Sequence, residues 1–72
     1  MINEYEYEYE DEIYTIEDFH NLIMCGAITD DDGYGEFIKN DKKFGKVLPS
    51  NWKECLQKCK SENIFHIVWY NR

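Results

Sequence analysis

Not one lysine or arginine occurs in the first 36 residues of this 72-residue chain. That half holds twelve acidic residues, whereas residues 37–72 hold eight basic and three acidic ones, and the net charge is −7. So acidic a half lacks the basic footprint that nucleic acid requires, and direct nucleic-acid binding is not expected. Docking on a basic protein surface is. Only three cysteines are present, Cys25, Cys55 and Cys59; an odd number without a paired framework predicts free thiols in a reducing compartment. No run approaches the roughly 20 apolar residues of a membrane span, so no membrane association is expected. The opening MINEYEYEYE has neither a basic n-region nor an apolar core. It predicts no signal peptide, and the cytosol as the location. A single proline and four glycines leave no linker. One domain is expected over residues 1–72, with 1–12 as an acidic edge strand or arm and 13–72 as a compact core.

Complete chemical motifs are missing as well. Cys55 and Cys59 share one helical face, but the two-residue knuckle spacing of zinc sites is absent, so burial in the core is the better account of the cysteines. Counted from Asp30, the run Asp30-Asp31-Asp32-Gly33 puts glycine fourth and Asp41 twelfth. A calcium loop needs glycine sixth and glutamate twelfth. His20 and Cys25 are five apart, off register for one helix face, and nothing orients them as a catalytic pair. Gly33-Tyr34-Gly35 is a fragment of a phosphate cradle and no more. The expectation is a protein that is not an enzyme and needs no metal or cofactor.

What the chain does have is rings. Six Tyr, four Phe and two Trp, each burying on the order of 150–250 Å², make an aromatic core feasible without a disulfide or metal. Thr15 followed by Glu17 and Asp18 predicts a helix start, Ile16, Phe19, Leu22 and Ile23 an apolar stripe, and Gly26 its left-handed end. Ala27–Thr29 reads as a strand entering an Asp32-Gly33 hairpin, followed by strands over 34–39 and 43–48 with a turn at 40–42. Ser50 is placed to cap a second helix, with Trp52, Cys55, Leu56 and Cys59 along its buried face. Residues 64–70 are apolar on both faces, as in a central strand. The predicted fold is α+β: a mainly antiparallel sheet of four or five strands with two helices, in the order β-α-β-β-β-α-β. Its expected core is Phe19, Ile23, Ile28, Phe37, Val47, Trp52, Leu56, Phe65, Ile67 and Trp69.

The period-two leader is the feature that invites a function. As a strand it puts Glu4, Glu6, Glu8 and Glu10 on one face and Tyr5, Tyr7 and Tyr9 on the other. Same-face carboxylates then recur about every 6.8 Å, close to every second phosphate of a DNA strand. Asp11, Glu12 and the turn Asp30, Asp31 and Asp32 extend the acidic field, and the tyrosines offer stacking area to arginine. The competing reading is a solubilising arm, or one paired with Lys39, Lys42, Lys43 and Lys46 of the same chain. Eight basic residues cannot neutralise fifteen acidic ones, so negative charge remains outward in either case.

Two stretches, Cys25-Gly26-Ala27-Ile28-Thr29-Asp30-Asp31-Asp32-Gly33-Tyr34-Gly35-Glu36 and the closing Phe65-His66-Ile67-Val68-Trp69-Tyr70-Asn71-Arg72, resemble small proteins encoded by bacteriophages and mobile elements. The resemblance spans residues 15–72 and excludes the leader. By class analogy it implies an inhibitor of host defence, anti-CRISPR proteins among them, acting by charge mimicry on a basic nucleic-acid-binding host protein. The alternative is a structural or regulatory interaction module, homodimeric in one form, in which the acidic leader is incidental.

Overall fold

The structure, a computed structural model, describes residues 12–71. The strand expected over Glu4–Glu10 lies outside these residues. Strand β1 (Glu12–Thr15) leads directly into helix α1 (Ile16–Met24); strands β2 (Gly33–Lys39) and β3 (Lys42–Val47) form a hairpin. A 3-10 turn (Pro49–Asn51), helix α2 (Trp52–Glu62) and strand β4 (His66–Asn71) complete the fold. All pairings are antiparallel, and the four strands lie in the order β1-β4-β2-β3. The α+β class, the antiparallel sheet and its two helices are as the sequence predicts.

Local chemistry explains most boundaries. Thr15 Oγ1 accepts from the Asp18 N–H at 3.1 Å, capping α1. At the other end Ala27 N–H reaches Leu22 O and Gly26 N–H reaches Ile23 O. These paired bonds, with Gly26 at φ +79°, are the left-handed stop that glycine permits. Asn40 and Asp41 both have positive φ between the paired Lys39 and Lys42, the two-residue turn that fits a twisted hairpin. Gly45, at φ +73°, sits where β3 gains a residue against β2, a bulge that needs a residue without Cβ strain.

Both helices cover one face of the sheet. Phe19 of α1 and Trp52, Cys55 and Cys59 of α2 join Phe37, Val47, Ile67 and Trp69 of the strands in one buried cluster. Phe19 lies at its centre, 5.0 Å from the Trp52 ring and 5.6 Å from the Trp69 ring. Trp52 Nε1–H donates to His20 Nδ1 at 2.8 Å and Trp69 Nε1–H to Asn71 Oδ1 at 3.0 Å, so both buried indoles are satisfied. Strand β4 is central, and Val68, on its opposite side, exposes nothing.

Four local expectations need correction. Ala27–Thr29 is a loop, not a strand, because the α1 stop consumes the Ala27 N–H and Asp32 folds back on Thr29. Ser50 does not cap a helix with its side chain; its own N–H is capped by Asp30. Phe65, placed in the core by the apolar run, is 66% exposed. The αL residue Asn63 turns the chain so that Ile64 goes inward instead, and strand alternation starts only at His66. Cys25 is exposed, while Cys55 and Cys59 are buried as expected.

Candidate protein-binding surface

Glu4, Tyr5, Glu6, Tyr7, Glu8, Tyr9, Glu10 and Asp11 lie outside the described residues. The leader therefore meets the described fold at Glu12, the first residue of edge strand β1. Glu12 is opposite Trp69, near the end of β4, and Gly33, which follows the Asp30–Asp32 turn, is opposite Asn71. Glu12 and the Asp30–Asp32 turn thus lie towards the same end of the central strand. That proximity depends on β1 and β2 both pairing with β4, which no local sequence signal specifies.

Their carboxylates are not equivalent. Glu12 Oε1 accepts from Tyr14 Oη–H at 2.6 Å. That hydrogen bond to a carboxylate, then burial and the adjacent charge, push the Tyr14 phenol up to about 12. A raised folded-state value means that the neutral phenol is favoured by folding. The contribution is complete below the unfolded value of about 10 and is lost as pH rises through about 12. Ultraviolet titration should show one tyrosine ionising last, and Glu12→Gln should move it back towards the others.

In the turn, Asp32 Oδ2 accepts from Thr29 N–H at 2.9 Å and from its hydroxyl at 3.2 Å. Asp30 Oδ1 accepts from the Ser50 N–H at 2.9 Å, tying the turn to the start of the 3-10 segment. Asp31 is exposed. Two of the three aspartates therefore build the turn, which holds their carboxylates in a fixed position. Asp30→Ala should cost about 1 kcal/mol through the lost cap, read as a lower urea midpoint.

A second surface was not legible beforehand. Ile67 and Trp69 face the helices, so Val68 and Tyr70 face the other way, beside Ile13 of β1 and Tyr34, Glu36 and Ile38 of β2. Tyr34 and Tyr70 lie with ring centroids 5.1 Å apart, and Tyr70 Oη–H donates to Glu36 at 2.7 Å. From β3, the ammonium of Lys46 stands 5.1 Å from the Tyr34 ring and that of Lys43 stands 5.4 Å from the Tyr70 ring. This face is aromatic and carries both signs of charge, Lys43 and Lys46 beside Glu36.

Burial pushes the Cys59 thiol up to about 11 and the Cys55 thiol upward too, so both stay protonated and weakly nucleophilic at neutral pH. Among the described residues no three His, Cys, Asp or Glu side chains stand together as metal ligands, and no helix is long and apolar enough to cross a membrane. A cleft of about 410 Å³ at the acidic end is lined by Ile23, Ile28 and Pro49, with Asp30 and Asp31 at its edge. No known family, curated protein or solved structure matches this chain.

Proposed function

We propose that this chain is a non-catalytic, protein-binding inhibitor encoded by a phage or mobile element. It docks its acidic end on the Lys/Arg-lined nucleic-acid site of a bacterial host protein, and a defence protein such as a CRISPR effector fits that description. The observation that carries this reading is the convergence of the leader's point of attachment, Glu12, and the Asp30–Asp32 turn on one end of β4. Two acidic segments far apart in sequence reinforce one another's potential there, and a partner surface built for phosphate meets both at once. Glu4, Glu6, Glu8, Glu10, Asp11 and Glu12 supply the charge. Tyr5, Tyr7 and Tyr9 supply stacking area for arginine. Inhibition by occupancy needs no reactive group, in keeping with inert buried thiols.

The test compares immobilised full chain with an E4Q/E6Q/E8Q/E10Q variant presented to bacterial cytosol. A protein held by the first, lost from the second and displaced by added DNA is the expected result. A partner held equally by both baits, or indifferent to DNA, overturns the reading.

A further inference from the structure

We infer that the groove between the end of α1 and the Pro49–Trp52 corner takes a short segment of the partner protein, with an apolar side chain seated in it and a neighbouring lysine or arginine at Asp31. The groove extends the proposed function, on which it rests: charge draws a basic protein to the acidic end, and the groove adds an apolar anchor there. Three features of the molecule lead to it.

The first is shape. The cleft of about 410 Å³ at the acidic end has a neighbour of about 330 Å³, and Ile23, Pro49 and Ser50 line both. Ile28 belongs to the first cleft, Met24 and Leu56 to the second. Together they form one apolar groove that crosses from the aspartate turn to the start of α2. Met24 is 64% exposed, and so adaptable a side chain at the rim of an apolar groove suits contact with a partner. A partner side chain that fills such a depression becomes the anchor of its interface.

The second is charge. Exposed Asp31 lines the first cleft and exposed Lys53 the second. The neighbouring Asp30 and Asp32 deepen the negative potential at the Asp31 end. Lys53 stands in the first turn of α2, where the helix dipole favours an acid instead. It does little for its helix, but it gives the groove a polarity: a cation is drawn to Asp31 and repelled at Lys53. The complementary occupant is an apolar side chain with a basic neighbour on one side only. The third is pre-organisation. Ala27 N–H bonds Leu22 O, Thr29 N–H bonds Asp32, and Ser50 N–H bonds Asp30, so the loop over 27–32 is pinned to both α1 and the 3-10 turn. The groove's walls stand before a partner arrives, which lowers the ordering cost of binding.

The probes are three capped peptides, Arg-Leu-Ala-Leu, Glu-Leu-Ala-Leu and Arg-Ala-Ala-Ala, titrated into isotope-labelled full chain at low salt. The first should shift the methyl signals of Ile23, Met24 and Ile28 and saturate at millimolar concentration. Removing its leucines should weaken it at least about tenfold, and exchanging arginine for glutamate about two- to fivefold. Asp31→Asn should abolish the difference between arginine and glutamate, with the turn still held by Asp30 and Asp32. Met24→Ser, at an exposed position, should weaken the first peptide with an unchanged circular dichroism spectrum. No methyl shift at any soluble peptide concentration, shifts confined to the open face of the sheet, or an arginine peptide bound no better than the glutamate one each overturn the inference. Groove shifts that grow with protein concentration in the absence of peptide also overturn it and assign the groove to a second copy. A cellular partner lost from E4Q/E6Q/E8Q/E10Q but held equally by wild type and Met24→Ser would remove this inference and leave the proposed function standing. Peptide binding in the groove, with a partner indifferent to the leader substitutions, would keep the groove and remove the charge-mimic reading.

Discussion

Phe19→Ala is expected to remove a large part of the protein's folding stability at 25 °C. Phe19 exposes nothing, and its ring is shared between Trp52 of α2 and Trp69 of β4, so it joins both helices to the central strand. Truncating a buried phenylalanine costs about 3–5 kcal/mol, because the cavity forms where neighbours cannot collapse. A domain this small has roughly 4–10 kcal/mol in total. Trp52 and Trp69 are also anchored by hydrogen bonds to His20 and Asn71, which limits how far they can move in. Urea denaturation followed by tryptophan fluorescence reads the loss, and a midpoint unchanged from wild type would contradict the packing described. Phe19→Leu, which keeps most of the volume, should lose much less.

The second large effect is on binding. E4Q/E6Q/E8Q/E10Q keeps the leader's length and its tyrosines but removes four of the seven uncompensated negative charges. Exposed ion pairs contribute about 0.2–1 kcal/mol each, so the four substitutions together should weaken the complex by about fourfold to several hundredfold at low salt. Fold stability should be unchanged, since the buried cluster of the described residues is built from residues between Phe19 and Trp69. A tyrosine variant, Y5S/Y7S/Y9S, separates stacking from charge: it should weaken binding while preserving the dependence on salt.

How far the sequence foretold this molecule varies with the range of the interactions. Thr15, Gly26 and the Trp52–Cys59 face were legible because each acts within one or two helical turns, where spacing alone specifies neighbours. The centrality of β4 was legible because only a strand buried on both sides tolerates Ile67, Val68 and Trp69 in succession. Asp32-Gly33 misled because the same dipeptide serves any tight turn, and here the Asp32 carboxylate closes on Thr29 rather than on a partner strand. Ser50 misled for a related reason: a helix start was rightly found, but the cap comes from Asp30, twenty residues away. Phe65 misled because a run apolar on both faces does not show where its strand begins, and here it begins at His66.

The acidic residues themselves could be found by inspection, whereas their convergence could not. Glu12 and the aspartate turn lie towards the same end of the sheet only because β1 and β2 flank β4, and that strand order is fixed by packing across the whole sheet. The aromatic face opposite the helices has the same origin. Tyr34, Lys43, Lys46 and Tyr70 come from three strands and share no local pattern.

The most direct measurement is the affinity of the captured complex across a salt series. The account predicts a steep linear fall of log affinity with log salt, with a shallower slope for E4Q/E6Q/E8Q/E10Q, because exposed charges are screened within about 8–10 Å near physiological ionic strength. An affinity that stays level from low to high salt, with wild type and variant superimposed, would contradict it.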